Sequence, residues 1–292
     1  MVLEMLMPAL QSRIDRSPQP TQVRLLEADG VSKAHLIDAT PIGANIRSTV
    51  ATYCGVHDDL RRAFAKTDAA RTIGLKAGAF SYNTGKLRCA TCDGTGSISL
   101  DVQFLPDVDI ECPACHGSRY SDAIAELKLP CTDGVAYSMP QLMTMTVDDA
   151  MPVLRDVKPI QTKLATLHEL GLGYLALGEP TPALSGGEAQ RLKLAMGRKQ
   201  HDAVFVFDEP TIGLHPLDVR VLLHVFDELV ANGATVVVIE HDLDVIANAD
   251  YVVDMGPGGG EAGGRVVCEG APSRIAACPE SVTGRYLQSS QC

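Results

Sequence analysis

The stretch LSGGEAQRLKLAMGRKQHDAVFVFDEPTIGLH, residues 184–215, decides the fold of this chain. A Ser-Gly-Gly-Glu turn opens a predicted helix from Glu188 to about Arg198, and the apolar run Ala203–Phe207 follows. Because this run is built of Ala, Val and Phe and is bounded by polar residues, it is typical of a fully buried strand in a parallel sheet. The sequence therefore predicts an α/β fold organised around that strand.

Residues at both ends of this stretch predict a ligand site. Asp208 and Glu209 follow the strand directly, and the carboxyl ends of strands are where open α/β sheets bind ligands. The backbone N–H groups of Gly186 and Gly187, at the start of the helix, can bind an anion.

The order of these motifs resembles that of the ABC-type P-loop ATPases. LSGG resembles their signature loop, VFVFDEP their Walker B strand, His241 their switch histidine, and Asp218 their D-loop aspartate. The resemblance implies ATP and Mg²⁺ as cofactors, with Glu209 and His241 as catalytic residues. It also implies a set of ATP-binding residues: Ser185, Gly186, Gly187, Glu188, Asp208 and Asp218. An unrelated α/β domain is the alternative, and four motifs in the right order disfavour it.

Four cysteines form two closely spaced pairs. Cys89 and Cys92 make one Cys-x-x-Cys pair, and Cys112 and Cys115 make the second after 19 intervening residues. Four thiolates suit tetrahedral Zn²⁺ and leave no open coordination position for catalysis. A redox role needs only one such pair on a thioredoxin-like scaffold, and the doubling disfavours it. The sequence therefore predicts a small inserted module with a structural four-cysteine zinc site.

Composition limits the cellular setting. The chain has 292 residues with 46% hydrophobic and 21% charged residues, which is ordinary for a soluble globular protein. No apolar run approaches the roughly 20 residues of a membrane span, and the N-terminus has no basic segment before its apolar part. We therefore expect a cytoplasmic protein without a membrane partner, whose nine cysteines are thiols or metal ligands.

The charge is unevenly distributed. A net charge of −11 argues against a protein that coats nucleic acid indiscriminately. Residues 47–88, however, hold eight Lys and Arg against three Asp and Glu. A DNA-facing surface is therefore expected in this segment. A solvated mixed surface carries equal weight as the alternative.

The motifs together resemble one family within this superfamily, the UvrA proteins, which are damage-sensing ATPases of bacterial nucleotide excision repair. The segments that carry the resemblance are LIDATPIG, ATYCGV, the two cysteine pairs, FLPD, SGGEAQRLKLA, FDEPTIGLH, VIEHDLDVI and DMGPGGGEAGG. The resemblance implies an excision nuclease system of the SOS response, which includes a UvrB-like helicase subunit. It further implies damaged double-stranded DNA as a partner and a second ABC module, in a self dimer or on a separate N-terminal chain.

The sequence also departs from the family. It contains no Walker A loop, G-x-x-x-x-G-K-[ST], since Gly85-Lys86 is followed by Leu87 and lacks the required earlier Gly. Ala39 replaces the family's Gln after Ile-Asp. We therefore expect a C-terminal fragment or degenerate paralogue whose own ATP site is impaired. A zinc-stabilised DNA- or protein-binding module with a vestigial ATPase half is the alternative, and a transporter ATPase is disfavoured by the zinc insertion.

Four segments are predicted along the chain. Residues 1–72 are the first part of the ATPase module with the DNA-facing segment, 73–122 the zinc module, 123–184 a helical signature subdomain, and 185–292 the core with signature, Walker B, D-loop and switch histidine. Alternation between the cysteine pairs predicts a β-hairpin with its turn at Pro106-Asp107. Residues 123–130 are predicted as a strand, and Val219–Asn232 as a helix with one apolar face.

Overall fold

A computed structural model gives the structure of residues 2–43, 45–100, 108–197, 201–212, 214, 216–256, 258 and 264–290. The strands are β1 (Lys33–Ile37), β2 (Ser97–Leu100), β3 (Val108–Glu111), β4 (Lys128–Pro130), β5 (Ala136–Ser138), β6 (Ala203–Asp208), β7 (Thr235–Ile239), β8 (Val252–Gly256) and β9 (Arg265–Gly270).

Helices make up most of the remaining structure. The α-helices are α1 (Met7–Ile14), α2 (Val50–Tyr53), α3 (Val56–Phe64), α4 (Asp68–Thr72), α5 (Met139–Thr144), α6 (Val147–Val153), α7 (Lys158–Glu169), α8 (Gly186–Gly197), α9 (Pro216–Ala231), α10 (Leu243–Ala247), α11 (Pro272–Ala276) and α12 (Val282–Ser290). A π-helical turn spans Val2–Leu6, and 3₁₀ turns span Ala77–Phe80, Asp122–Glu126 and Thr181–Ala183. Within the described ranges, no helix has the length and hydropathy needed to cross a membrane.

The chain forms two compact units. One joins Met1–Ala39 to Gly197–Cys292, and the other is Thr40–Met196. The first contains the run predicted as a buried strand, and the second contains the cysteine pairs and the LSGG turn. The four-segment division proposed from the sequence stays a prediction.

A parallel three-stranded sheet, ordered β1-β6-β7, organises the first unit. Val204 and Val206 of β6 pack against Leu10 of α1, while Phe207, on the opposite face, contacts Phe226 of α9 with ring centroids 4.7 Å apart. Because helices cover both faces of β6, its residues 203–207 are all buried, as their apolar sequence predicts. Helix α9 buries the predicted apolar face, Leu222, Val225, Phe226 and Leu229.

Helices and strands of three or four residues build the second unit. Helices α3 and α7 bury Leu60 and Leu164 completely. Lys163 of α7 donates to Asp59 at 2.7 Å and to the carbonyl of Gly55 at 2.8 Å, which fastens α7 to the start of α3. Strands β2 and β3 pair antiparallel, which confirms the hairpin between the cysteine pairs; its predicted turn at Pro106-Asp107 lies outside the described residues.

The strand predicted over residues 123–130 is wrong for most of its length. The 3₁₀ turn Asp122–Glu126 occupies its first part, and only Lys128–Pro130 pairs as a strand. Ile124 is buried and supplies an apolar anchor, but the flanking alanines lack the β-branched side chains that favour extended backbone. The alternation of apolar residues there arises from a helical turn followed by a short strand.

Candidate functional site

The turn after β6 holds the predicted catalytic carboxylate in a strained backbone conformation. Glu209 has a φ of 47°, in the left-handed region that residues other than glycine rarely adopt. Its N–H donates to the carbonyl of Ile239 at 2.9 Å and so ties the turn to the end of β7. Such a conformation costs on the order of 1–3 kcal/mol and occurs most often at functional sites. The turn gives up stability to set the direction of the Glu209 side chain.

Glu209 and His241 lie side by side at the carboxyl edge of the sheet. Oε1 of Glu209 is 3.5 Å from Nε2 of His241, and the two side chains are 40% and 86% exposed. Both groups can therefore reach a ligand from solvent. A carboxylate beside an imidazole can orient a water molecule or exchange a proton with it. The structure brings together the two residues predicted to be catalytic, and their roles stay a prediction.

Glu240, which the sequence reasoning missed, directly precedes His241 and bonds to the loop that follows Glu209. Its Oε1 accepts hydrogen bonds from the Thr211 N–H at 2.9 Å and from the Thr211 hydroxyl. Its Oε2 accepts from the N–H groups of His241 at 2.5 Å and Asp242 at 3.0 Å. Partial burial opposes ionisation, but these donors hold the pKa of Glu240 below its usual range. The carboxylate is an anion shared by two loops.

The other predicted residues at this end of β6 are placed as follows. Asp208 is the last residue of β6, is partly buried, and pairs in register with Ile239. Asp218 falls in the first turn of α9, and its side chain lies outside the part of the chain that the structure describes. Asp208 thus directly precedes Glu209 at the carboxyl end of β6, and the roles of Asp208 and Asp218 stay predictions.

The LSGG turn begins α8 with a capping box. The N–H of Ser185 donates to Oε2 of Glu188 at 2.6 Å, and the N–H of Glu188 donates to the Ser185 hydroxyl at 3.4 Å. Tyr174 donates its hydroxyl to Oε1 of Glu188 at 2.6 Å. Burial opposes ionisation of Glu188, but these hydrogen bonds lower its pKa. Gly186 and Gly187 form the first turn of the helix, where backbone N–H groups are the natural anion donors.

The four predicted zinc ligands converge in the second unit. The sulfurs of Cys89, Cys92, Cys112 and Cys115 all lie within 4.8 Å of one another, and all four residues are buried. Sγ of Cys89 is 3.9 Å from Sγ of Cys112, and Sγ of Cys92 is 3.6 Å from Sγ of Cys115. Zinc–sulfur bonds of about 2.3 Å in a tetrahedron place sulfurs about 3.8 Å apart. The cluster therefore fits Zn²⁺, and its four thiolates would close the coordination shell.

Left-handed turns let the backbone approach the sulfurs. After Cys92, Asp93 and Gly94 have φ of 51° and 81°. The second knuckle repeats this conformation at His116 and Gly117, with φ of 47° and 74°. A Cβ on Gly94 would lie 1.8 Å from the Tyr82 carbonyl, so only glycine fits there.

One of these thiols is prepared for ionisation by its turn. The N–H of Gly96 donates to Sγ of Cys92 at 3.3 Å. Although burial opposes ionisation, this contact and a hydrogen bond from Cys115 lower the pKa of Cys92 to about 7. The thiolate is the form that binds metal.

A polar cavity lies in the basic segment next to the cysteines. It is open to solvent, has a volume of about 380 Å³ and is lined by Asn45, Arg47, Ser48, Thr52, Tyr53 and Asn83, none of them acidic. The buried Oδ1 of Asn83 has no hydrogen-bond partner in the described part of the protein. The lining side chains are polar or basic, so the cavity suits a polar ligand.

The four-cysteine module holds the wall of this cavity in place. Asp93, between Cys92 and Gly94, pairs with Arg47 at 2.9 Å and with Arg88 at 2.8 Å. The hydrogen bond from Arg47 holds the pKa of Asp93 below its usual range. Arg119 is buried, stacks over the Tyr82 ring at 5.1 Å, and donates to the Ile46 carbonyl at 3.0 Å. Two residues of the cysteine module thus fix the 46–47 segment.

The chain is similar to curated bacterial proteins over most of its length. It is 46% identical over 263 residues to UvrABC system protein A of Bacillus subtilis (strain 168), and 42% identical over 293 residues to the protein of that name from Clostridium acetobutylicum. These matches cover 89% and 99% of this chain but 27% and 31% of the relatives. The chain therefore spans about three tenths of the length of the curated relatives it matches. No family model matches it.

A solved structure gives the same picture. The chain is similar to UvrA2 from Deinococcus radiodurans, with a TM-score of 0.84 and 42% identity. The match covers 90% of this chain and 32% of that one. The α/β fold predicted from the motifs is confirmed, and so is the resemblance on which it rests.

Proposed function

Since this chain is homologous over nearly its whole length to part of UvrABC system protein A, we propose that it serves in ATP-dependent recognition of damaged double-stranded DNA in bacterial nucleotide excision repair. The observation that carries the proposal is the pairing of Glu209 with His241 at the carboxyl edge of the sheet. That pairing supports a nucleotide-binding edge in this chain. The four-cysteine cluster supports the assignment to the same repair system.

The proposed nucleotide chemistry uses residues at two places. Asp208 would help hold Mg²⁺, Glu209 would orient and polarise the attacking water, and His241 would contact the terminal phosphate. Mg²⁺, when bound with ATP, supplies neutralisation of phosphate charge. Ser185 and Gly187 would contact the nucleotide of a second ABC module through the start of α8. Asp218 and Glu188 complete the proposed set of ATP-binding residues. Glu188 would act by fixing the LSGG turn through its capping box.

The sequence supplies no Walker A loop for this chemistry. Gly85, the nearest candidate, lies in a tight turn where a Cβ would be 2.4 Å from the carbonyls of Ala79 and Ser81. The N–H of Gly85 is already donated to the Ser81 carbonyl at 2.7 Å. Residues 85–86 therefore do not provide a phosphate cradle. We propose that hydrolysis at the Asp208–Glu209 edge requires a phosphate cradle from outside this sequence, and that the LSGG turn acts on the nucleotide of a second ABC module. A UvrB-like subunit would act downstream in the cytoplasm.

The proposed DNA contact is the cavity beside the zinc module. Arg47 supplies positive charge, and the hydroxyl and amide groups around it are suited to phosphate oxygens. Asp93 and Arg119 hold the segment that carries Arg47 in place. Bound zinc would therefore raise DNA affinity indirectly, by stabilising this segment. A zinc-stabilised DNA-binding module without ATPase activity remains the second candidate, favoured by the absence of a Walker A motif in this sequence.

The decisive experiment measures DNA affinity of the zinc-loaded chain by fluorescence anisotropy, with intact and lesion-bearing duplexes over a range of salt. Arg47→Gln should weaken binding by a few fold and reduce the salt slope by about one. Arg285→Gln makes the same charge change at an exposed position of α12 and is the matched control. Equal losses in both variants would remove the cavity from the proposal.

Nucleotide separates the two candidate functions. The same titration is repeated with an ATP analogue and Mg²⁺, with and without the segment of a relative that carries Walker A. A change in DNA affinity only when that segment is present supports the ATP-dependent function. Tight, salt-dependent binding that nucleotide never changes supports the zinc-stabilised DNA-binding module.

A further inference from the structure

Glu240 connects the two loops that carry the candidate catalytic residues. It follows β7 directly, and β7 pairs with β6 up to Asp208 and Ile239. Beyond that pair, β6 is followed by the loop from Glu209 to Thr211, and β7 is followed by the loop from Glu240 to Asp242. The Glu240 carboxylate spans the gap by placing one oxygen on each loop.

The donors on the two sides show why an anion is needed there. Three backbone N–H groups and one hydroxyl point at the carboxylate, from Thr211, His241 and Asp242. Hydrogen bonds to an ionised acceptor are shorter and about twice as strong as neutral ones. An amide of the same shape would turn an NH₂ group toward at least one of these N–H donors. Both oxygens are occupied, so Glu240 is not available as a metal ligand.

We propose that Glu240 is a positioning residue that holds Glu209 and His241 within reach of each other. Thr211 is two residues after Glu209, and its N–H and hydroxyl fix the strained turn from which that side chain projects. The N–H of His241 fixes the other side. The consequence for hydrolysis rests on the proposed function, whereas the geometry is testable without nucleotide.

The test uses the histidine spectrum of the whole chain. With ¹⁵N-labelled histidine, Glu209→Gln should displace the His241 ring resonances, because it removes a charge 3.5 Å from Nε2. We call this displacement the Glu209-to-His241 coupling. In the Glu240→Gln background the same change should displace the His241 resonances by about half as much or less, because the two side chains are no longer held close together. An undiminished displacement would overturn the proposal.

Matched variants separate positioning from stability. Glu280→Gln makes the same chemical change at an exposed position and should leave the Glu209-to-His241 coupling intact. Thr211→Val removes only the hydroxyl contact and should reduce the coupling, and Thr211→Ser should restore it. A coupling that follows the thermal unfolding midpoint of each variant, and not these contacts, would mean that Glu240 only stabilises the fold.

Hydrolysis provides the functional arm. In a preparation completed with the missing cradle, Glu240→Gln should lower kcat roughly tenfold with little change in KM, since nucleotide contacts remain. Should no preparation hydrolyse ATP, the proposed ATPase function fails, while the histidine spectrum still decides the role of Glu240. An unchanged kcat in an active preparation would contradict the inference.

Discussion

The four-cysteine cluster, the candidate zinc site, and the carboxyl edge of the β1-β6-β7 sheet are built in opposite ways. The four sulfurs are buried and lie within 4.8 Å of one another, with backbone turns shaped around them. Glu209 and His241 are open to solvent, and the backbone at Glu209 is strained. One region is closed on itself, and the other points its reactive groups outward.

This difference separates groups that hold the fold from groups that serve a ligand. Buried thiols in contact stabilise the fold only as a group, because each needs the metal or the other thiols to offset the free-energy cost of losing its contact with water. Exposed groups add little stability, so the protein can hold them in unfavourable conformations. Substitutions should therefore destabilise the buried region and leave the edge folded.

Loss of one zinc ligand should have the largest effect. Cys112→Ala removes a completely buried sulfur, and we expect loss of the metal and unfolding of the β2–β3 hairpin. Structural zinc contributes on the order of 10 kcal/mol of apparent binding free energy in small domains, so the loss should be several kcal/mol. Zinc content and circular dichroism report the result. Cys278→Ala, at a half-buried cysteine, is the control. Full zinc retention in Cys112→Ala would contradict the assignment.

The buried histidine of the second unit should give this region its own pH dependence. Nε2 of His57 lies 2.8 Å from the Tyr120 hydroxyl, and burial lowers the pKa of His57 to about 4. The unfolded chain takes up the proton near pH 6.5, so stability falls as pH drops from there toward 4, by about 1.4 kcal/mol per pH unit.

Urea unfolding of wild type and His57→Gln between about pH 7 and pH 5 checks this. The glutamine keeps a hydrogen-bonding group but does not titrate, so its free energy of unfolding should fall less steeply. Zinc content is measured at each pH, because metal loss would affect both proteins. Parallel curves for the two proteins would show that folding does not lower the pKa of His57.

The cap of α8 should have an intermediate effect. Glu188→Ala removes the acceptor of the Ser185 N–H and of the Tyr174 hydroxyl, and loss of such a cap typically costs about 1 kcal/mol. Glu126→Ala changes an exposed glutamate of the same unit and should cost less. Urea unfolding compares the two. Equal effects would mean that the capping box adds nothing to this helix.

Sequence reasoning succeeded where local pattern determines structure. The strands at 203–208 and 235–239 were predictable because apolar runs end at polar residues. The convergence of the four cysteines was predictable because two Cys-x-x-Cys pairs suit one tetrahedral cluster. Glu240 could not be found this way. Its contact with Thr211 joins residues 29 apart and exists only because β6 and β7 pair. A carboxylate next to a predicted catalytic histidine was the available signal.

The strained turn should give an effect no larger than that of the α8 cap, and of the opposite sign. Glu209→Gly relieves a φ of 47° that glycine adopts without cost, whereas Glu209→Ala removes the same side chain but keeps the strain. The glycine variant should be more stable than the alanine variant by about 1 kcal/mol in urea unfolding, and both should lose any hydrolysis that depends on Glu209. Such a gain would mean that the edge keeps a residue its backbone disfavours because the ligand needs its carboxylate. If alanine is at least as stable as glycine, the turn is not strained, and the contrast with the zinc region loses its energetic basis.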